Sequence, residues 1–334
     1  MAQINKPNTY FNTVTWTGNS STQAITGVGF QPDFIWKKSR SQAYSHRLSD
    51  SVRGGSKVLN TDNTNAEGTD VNEVISFDSD GFTLGNSYSN FTGHTHVGWS
   101  WKAGGTAVSN TDGSITSSVS ANTTSGFSIV SFNGGGSGSD NIGHGLGSTP
   151  KIVLIKDRDG ATDWLWYTTA IDGSYDTLRL NTTGAKTDSS YTAPTSLVFS
   201  FPANSANDYI AYCFAEKKGF SKFGSYTGNG STDGTFVYTG FKPAFVISKQ
   251  SSGSLENWSI ADNKRDSDNV VISRLFPDLS NAESTNLNLY DFTSNGFKIR
   301  NSDNLVNASG STYIYMAFAE NPLVGTNNIP ATAR

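Results

Sequence analysis

The sequence of 334 residues predicts an all-β protein made of three tandem antiparallel β-sandwich domains. Three observations favour this fold class. The composition is rich in Gly, Ser, Thr and Asn, with 12% aromatic and only 16% charged residues, which suits short strands joined by many polar turns. Apolar and polar residues alternate in many short segments, which is the period of a half-buried strand. The same series of segments recurs three times along the chain.

The clearest repeated segment is a strand that follows a glycine and a proline. It reads GVGFQPDFIWKK at 27–38, GHGLGSTPKIVLIKD at 143–157 and YTGFKPAFVISK at 238–249. Glycine permits a tight turn, proline restricts φ where the strand begins, and the β-branched and aromatic run that ends at lysine is typical of a buried strand. We therefore expect this strand in the core of every repeat.

An aromatic strand closes every repeat. It reads HVGWSWK at 96–102, DYIAYCFAE at 208–216 and TYIYMAFAE at 312–320. An alternating strand with a polar, glycine-rich tail opens every repeat, as expected for a hairpin with one face in water.

These matches divide the chain into five parts. We expect a first repeat at 1–103, a Gly/Ser/Thr-rich linker at 104–125, a diverged second repeat at 126–219, a third repeat at 220–323 and a C-terminal tail at 324–334. Each repeat is long enough to close a core of its own, so the pattern predicts duplicated domains rather than a solenoid.

Charge, cysteine content and hydropathy exclude several classes of protein. The net charge is −4 and Lys and Arg form no cluster, unlike the positive patch of a nucleic-acid-binding protein. The single cysteine, Cys213, cannot form an intramolecular disulfide. No segment approaches 18 consecutive apolar residues, and the N-terminus does not resemble a secretory signal. We expect a protein made in a cytoplasm, without membrane insertion.

A D-x-x-R pattern occurs in the first repeat as Asp50 with Arg53 and in the third as Asp262 with Arg265. The second repeat lacks the arginine after Asp172. Retention in two diverged repeats favours a shared structural ion pair or hydrogen bonds that brace a turn. Ligand recognition is the alternative.

Two tryptophan pairs have a spacing of two, Trp99 with Trp101 and Trp164 with Trp166, so each pair points to one side of a strand. A buried pair would form a core layer, whereas an exposed pair would stack on sugar rings. The first pair has apolar counterparts in the other repeats, which favours the core. The second pair lies beside a charged residue, so Trp164, Trp166 and Asp163 are candidate glycan contacts.

The sequence contains no motif that predicts catalysis or a metal site. His94 and His96, with His46 as a third ligand, are a weak zinc candidate because the other repeats keep no such pair. The segments DSDG at 78–81 and DRDG at 157–160 begin like calcium loops, but ordinary turns use the same residues. No nucleophile elbow or phosphate-binding loop occurs. We expect no enzymatic activity, no cofactor and no bound metal.

Four segments carry a further resemblance. They are YFNTVTWTGNSSTQAITGVGFQPDFIWKKSR at 10–40, DSVRGG at 50–55, FDSDGFTLG at 77–85 and the ending FAENP with IPATAR within 318–334. Together they resemble a domain of tailed-bacteriophage virion proteins, a family often described as tail, tail-fibre or structural proteins and similar to concanavalin-like lectin and glucanase sandwiches. The resemblance implies a jelly-roll sandwich in each repeat and a place in the virion. It brings no catalytic residues.

Two classes of function follow as expectations. The first is a virion structural protein, either a head decoration or a tail or fibre component, which contacts other virion proteins and itself as a homo-oligomer, with a trimer as one option. The second is a carbohydrate-binding adhesin that recognises a glycan on the host surface. A glycan-degrading enzyme is a weaker third interpretation, since duplicated catalytic acids should recur between repeats.

Overall fold

The alternating and apolar segments form antiparallel strands in a computed structural model of the chain, which describes residues 3–136, 138, 140–203, 206–253, 256–325 and 330. The protein is all-β and contains several antiparallel sheets, as the sequence predicts. Within the described residues, helix is limited to a 3₁₀ turn at Pro7–Thr9 and the short helix α1 at Asn304–Asn307. No helix in this part of the chain is long and apolar enough to cross a membrane.

The first repeat folds into a large and a small sheet. Its strands are β1 (Phe11–Thr17), β2 (Gln23–Ile25), β3 (Phe34–Ser39), β4 (Arg47–Asp50), β5 (Lys57–Asn60), β6 (Gly68–Thr69), β7 (Ser76–Asp78), β8 (Gly81–Leu84) and β9 (Thr95–Trp101). The large sheet has the order β1-β9-β3-β4-β5-β6, and the small sheet has the order β2-β8-β7.

The second repeat repeats this plan with an extension. Its strands are β10 (Val108–Asn110), β11 (Ser117–Asn122), β12 (Phe127–Asn133), β13 (Asp140–Gly143), β14 (Ile152–Asp157), β15 (Leu165–Thr168), β16 (Asp176–Arg179), β17 (Thr187–Asp188), β18 (Val198–Phe201) and β19 (Asp208–Phe214). The large sheet has the order β10-β11-β12-β19-β14-β15-β16-β17, and β13 pairs with β18.

The expectation of a linker at 104–125 is wrong. Strands β10 and β11 lie in this segment and extend the second large sheet beyond β12. The side chains of Ser117, Val119 and Ser120 are buried, so small residues here cover a sheet edge. Gly, Ser and Thr are shared by linkers and by edge strands, and the composition alone did not separate the two.

The third repeat has the same two sheets. Its strands are β20 (Ser221–Thr227), β21 (Phe236–Tyr238), β22 (Phe241–Gln250), β23 (Ser259–Asp262), β24 (Tyr290–Thr293), β25 (Gly296–Ile299) and β26 (Thr312–Pro322). The large sheet has the order β20-β26-β22-β23, and the small sheet has the order β21-β25-β24. Most of the expected tail at 324–334 lies outside the described residues.

The three large sheets therefore share one strand order, β1-β9-β3-β4 in the first, β12-β19-β14-β15 in the second and β20-β26-β22-β23 in the third. The repeated strand, which follows the proline in the first two repeats and contains Pro243 in the third, is central in each and pairs with the strand that closes the repeat. The registers also correspond, because Phe34 pairs with Trp101 and Phe245 pairs with Phe318. Positions in the three repeats can therefore be equated residue by residue.

Each large sheet is buried on both faces. One face packs on the small sheet of its own repeat and forms a local core. The opposite faces of all three large sheets meet in a single shared core. This two-sided burial explains why every side chain of β3 and of β14 is buried.

Three aromatic side chains at equivalent positions mark the centre of the shared core. Trp101, Phe214 and Phe318 come from the first, second and third repeats, and each contacts the other two. The ring centroids are 6.4 Å apart for Trp101 and Phe214, 6.1 Å for Phe214 and Phe318, and 5.6 Å for Trp101 and Phe318. The repeats thus surround a common axis and bury part of their apolar surface only against one another.

Candidate functional site

Three backbone hydrogen bonds at equivalent places join the repeats into a closed cycle. Each runs from an N–H in one repeat to a carbonyl in another: Glu67 to Arg158 at 2.8 Å, Lys186 to Ser251 at 2.9 Å, and Glu283 to Arg40 at 2.7 Å. The first repeat therefore contacts the second, the second contacts the third, and the third returns to the first. The residues that surround these bonds form the candidate structural site of the chain.

The two D-x-x-R pairs lie at two of these interfaces. Arg53 Nε donates to Asp50 Oδ2 at 2.6 Å, and Arg265 Nε donates to Asp262 Oδ2 at 2.6 Å, with all four side chains buried. The other oxygen, Oδ1, of each aspartate accepts backbone N–H groups of the same turn. Each aspartate thus braces a turn and holds a buried arginine.

Each buried arginine continues into an ion-pair chain that crosses to the neighbouring repeat. At the first–second interface, Arg53 Nη1 is 3.0 Å from Glu67, and Arg158 of the second repeat binds both oxygens of Glu67 at 2.9 Å. At the third–first interface, Glu283 lies between Arg265 and Arg40 in the same way. The paired geometry is that of a charge-assisted bidentate contact.

The pKa shifts follow from this alternation of charges. Burial alone would lower the pKa of the Arg53 guanidinium. The negative charge of Asp50 outweighs this effect and raises that pKa. The pKa of Glu67 falls, because hydrogen bonds from Arg158 and Arg53 outweigh its burial. Both shifts favour the charged forms of Arg53 and Glu67.

An aromatic donor from the neighbouring repeat completes each network. Tyr212 Oη donates to Asp50 Oδ2 at 2.7 Å, and Trp99 Nε1 donates to Asp262 Oδ2 at 2.9 Å. Tyr212 pairs with Leu154 and Trp99 pairs with Trp36, so the two donors occupy equivalent positions. The aspartate is consequently satisfied from both sides of the interface.

The second–third interface lacks this network. The register places Thr168 opposite Ile152, where Asp50 lies opposite Phe34, so the residue equivalent to Asp50 is Thr168. Matching Asp172 to Asp50 from sequence was wrong, because Asp172 lies four residues beyond the equivalent position, between β15 and β16.

Apolar side chains replace the ionic ones at this interface. Three positions after Thr168, Ile171 stands where Arg53 stands, and Met316 stands where Tyr212 stands. Both Ile171 and Met316 belong to the shared core. Lys186 contacts Asp172, Asp176 and Asp188 of its own repeat instead.

Trp164 and Trp166 are buried, with exposures of 0% and 2%, so the expected exposed platform for sugars is wrong. Trp164 Nε1 donates across the first–second interface to the carbonyl of Asn60 at 2.7 Å. Trp258 makes the equivalent bond to Arg179 at 3.0 Å. The face of the strand that carries Trp164 and Trp166 packs in the shared core. The indoles therefore join repeats and do not face solvent.

Asp163 is the remaining glycan candidate, and its side chain is partly exposed at the surface, whereas the two indoles are buried. Its Oδ2 accepts from Arg179 Nε at 2.7 Å, and its Oδ1 accepts from Asn181 Nδ2 at 2.8 Å. It borders a groove of about 330 Å³ that also includes Thr162 and Tyr209. The carboxylate of Asp163 and the two indoles therefore do not form one exposed surface.

Three of the remaining polar candidates, His46, Asp80 and Asp157, make structural hydrogen bonds. His46 Nδ1 accepts from Trp36 Nε1 at 2.9 Å, inside the core. Asp80 accepts from the N–H groups of Gly27 and Gly29, and Asp157 accepts from Gly160, as in ordinary turns. No group of three His, Cys, Asp or Glu side chains that could hold a metal ion occurs in the described part of the chain.

The lysine that ends each repeated strand is also buried. In every case its Nζ donates to the carbonyl of the next residue, at 2.7 Å for Lys38, 2.8 Å for Lys156 and 2.6 Å for Lys249. Burial lowers the pKa of all three amines to about 8. These lysines are part of the repeated architecture, which explains their recurrence.

The glutamates and outer arginines of the networks were not predicted from the sequence. Arg40 and Arg158 each lie two residues after the repeated lysine, which was a usable signal. Glu67 and Glu283 were hidden, because they lie 14 and 18 residues after their arginines. Unequal loops remove such residues from any simple repeat alignment.

The fold and its interfaces define an all-β protein in which three repeats surround one shared core. The chain belongs to the DUF7483 family, described as a domain of unknown function, whose model matches residues 6–322. No curated protein and no solved structure is significantly similar to the chain.

Proposed function

We propose that this chain is a non-enzymatic structural protein of a tailed-bacteriophage virion, either a head decoration or a tail or fibre component. The segments at 10–40 and 318–334 that resemble phage virion domains support this assignment. We further propose that each repeat is a concanavalin-like jelly roll. The large and small sheets of each repeat are the two layers that such a sandwich would need.

The observation that carries the proposal is the closed cycle of interfaces around the shared core. Ion pairs and indole hydrogen bonds link the repeats at many points. A chain linked in this way forms one body whose repeats cannot separate without exposing apolar surface and buried charge. Such a body suits a part that must keep its shape in an assembled particle and act through contacts with other virion proteins and with itself.

The proposal is tested on purified particles. Mass spectrometry of virions produced from the encoding genome should detect the chain at a fixed ratio to the major capsid protein. Antibody labelling in electron microscopy should place it on the head or the tail. Particles that lack the chain after density-gradient purification would overturn the assignment.

A carbohydrate-binding adhesin is the second candidate. Trp164 and Trp166 no longer support it, because both are buried. A different surface does, since the exposed Tyr88 and the half-buried Tyr44 lie in a groove between the first and third repeats. The glycan-degrading alternative is tested by the release of reducing ends from host polysaccharide.

A further inference from the structure

A groove of about 290 Å³ lies at the surface beside the β4–β5 pair, where the first repeat meets the third. Its wall contains Tyr44, Arg47, Asp62 and Tyr88 of the first repeat and Ser280 of the third. We call it the tyrosine groove. Its size approaches the lower end of the range for small-ligand sites.

Aromatic rings form one side of the tyrosine groove. Tyr88 is 48% exposed, although large aromatic side chains are usually covered. The guanidinium of Arg47 packs over its ring at 4.6 Å from the centroid, and the Tyr44 ring lies 5.3 Å away at a steep angle. The Tyr44 ring also contacts Phe91 at 6.0 Å. Tyr88 is thus held in place while much of its surface faces solvent.

Polar groups form the other side. Burial raises the pKa of the Asp62 carboxyl, while its hydrogen bond with Ser45 acts in the opposite direction. Arg47 forms ion pairs with Asp70 at 3.0 Å and with Glu73 at 2.7 Å. The groove therefore offers a carboxylate and hydroxyl groups beside aromatic rings, but no free positive charge.

The second repeat contains the equivalent groove with a different lining. Arg47 pairs with Asn60 across β4 and β5, and Leu165 pairs with Arg179 at the same place across β15 and β16. Both Leu165 and Arg179 border the groove of about 330 Å³. Threonine replaces Tyr44 there, and the Arg179–Asp163 ion pair occupies the polar side. The second groove also contains aromatic residues, Phe201 and Tyr209, but both are buried, so the exposed ring of Tyr88 is what distinguishes the first groove from the second.

We propose that the tyrosine groove binds a neutral oligosaccharide. A sugar presents C–H groups on one face and hydroxyls around its edge. The C–H face would stack on Tyr88. The sugar hydroxyls would donate to Asp62 and exchange hydrogen bonds with the serine hydroxyls. An acidic glycan is disfavoured, because the only cation in the wall, Arg47, is already paired. This inference does not depend on a virion location, so failure of the particle experiment leaves it standing.

The test is an array of neutral oligosaccharides of glucose, galactose, mannose and N-acetylhexosamines, printed beside sialylated and uronic-acid glycans. The full chain should bind at least one neutral glycan. Tyr88→Ala should lower the affinity about tenfold or more, since it removes the stacking surface. Asp62→Asn should lower it less, because the amide keeps one acceptor oxygen.

Tyr238→Ala is the matched control, because Tyr238 is 59% exposed and lies outside the groove. It should leave binding unchanged, and equal melting temperatures should show that both tyrosine variants are folded. Three results would overturn the assignment: no neutral glycan bound, binding confined to acidic glycans, or the same affinity in wild type and Tyr88→Ala.

Discussion

The first–second and second–third interfaces solve the same packing problem with opposite chemistry. The first–second interface buries the ion pair of Asp50 and Arg53 and satisfies it with Tyr212. The second–third interface has Thr168, Ile171 and Met316 at the equivalent positions. Both interfaces keep the backbone hydrogen bond that joins the repeats. The geometry of the cycle is therefore independent of whether its side chains are charged.

The comparison also shows that the network changes as a unit. The acid, the base and the aromatic side chain that donates to the acid are all absent together from the second–third interface. A buried charge without its partner costs several kcal/mol, whereas replacing a whole ion pair by packed apolar groups is often neutral. Intermediate combinations are therefore expected to be less stable than either complete version.

The largest effect is expected from Arg53→Met, which breaks one network and leaves Asp50 and Glu67 without their shared partner. We expect the free energy of unfolding to fall by about 3–5 kcal/mol, because a buried carboxylate loses its counter-ion. Denaturant unfolding at pH 7, followed by tryptophan fluorescence, measures this change.

Arg179→Met is the matched control for that variant. The Arg179–Asp163 pair has a similar N–O distance of 2.7 Å, but the side chain of Arg179 is 51% exposed. Exposed pairs contribute about 1 kcal/mol or less. If the two variants lost equal stability, burial would not be what makes the first–second network sensitive.

A smaller net effect is expected when the second–third chemistry is transplanted. The triple variant Asp50→Thr, Arg53→Ile and Tyr212→Met should have a free energy of unfolding within about 2 kcal/mol of the wild-type value. It should therefore be more stable than Arg53→Met alone. The double variant Asp50→Thr, Arg53→Ile keeps Tyr212. Its free energy of unfolding should be about 1–3 kcal/mol lower than that of the triple variant, because the buried hydroxyl of Tyr212 loses an acceptor. Additive losses along this series would show that the network does not act as a unit.

Much of the fold was predictable from the sequence, because turn residues and period-two patterns act locally. The repeated strand is central in each large sheet, as its apolar run indicates. The residues that cover the second apolar face of a large sheet come from another repeat, so a local pattern does not predict them. Trp164 and Trp166 were ambiguous because their spacing shows that they share a face but does not show that another repeat covers it.

The candidate sites depended even more on distant parts of the chain. The D-x-x-R pairs could be found because both members lie in one turn. Tyr44 and Tyr88 could not, because they are far apart in sequence and their rings meet only when the first repeat is folded. A single tyrosine in a polar loop has no local signal that distinguishes a binding surface from a solvated side chain.

The third–first interface differs from the other two at one more position, and acid should reveal it. His46 occupies the place of Trp164 and Trp258, stacks on Trp99 at 6.4 Å and accepts a hydrogen bond at Nδ1 from Trp36. Burial, together with the charges of Lys38 and Arg265, holds its pKa well below 6.5, although the carbonyl of Phe276 acts in the opposite direction. Protonation of Nδ1 would place two N–H donors against each other.

The sign of the pH effect follows from these pKa values. The unfolded chain binds a proton at His46 near pH 6.5 and the folded chain does not, so stability is present above this pH and is lost as the pH falls. The loss approaches about 1.4 kcal/mol for each pH unit until the folded pKa is reached. Burial raises the pKa of Asp278 to about 7, so this residue stabilises the folded chain as the pH falls. The dependence of stability on pH is therefore the sum of two opposite contributions.

The variant His46→Phe isolates the contribution of the histidine. Its unfolding free energy should be lower than that of wild type at pH 8, because the indole N–H of Trp36 loses its acceptor. The difference should shrink between pH 7 and pH 5, since only wild type still loses stability through this residue. A constant difference across that range would mean that His46 does not titrate on unfolding, and that the third–first interface is no more sensitive to acid than the two interfaces built on tryptophan.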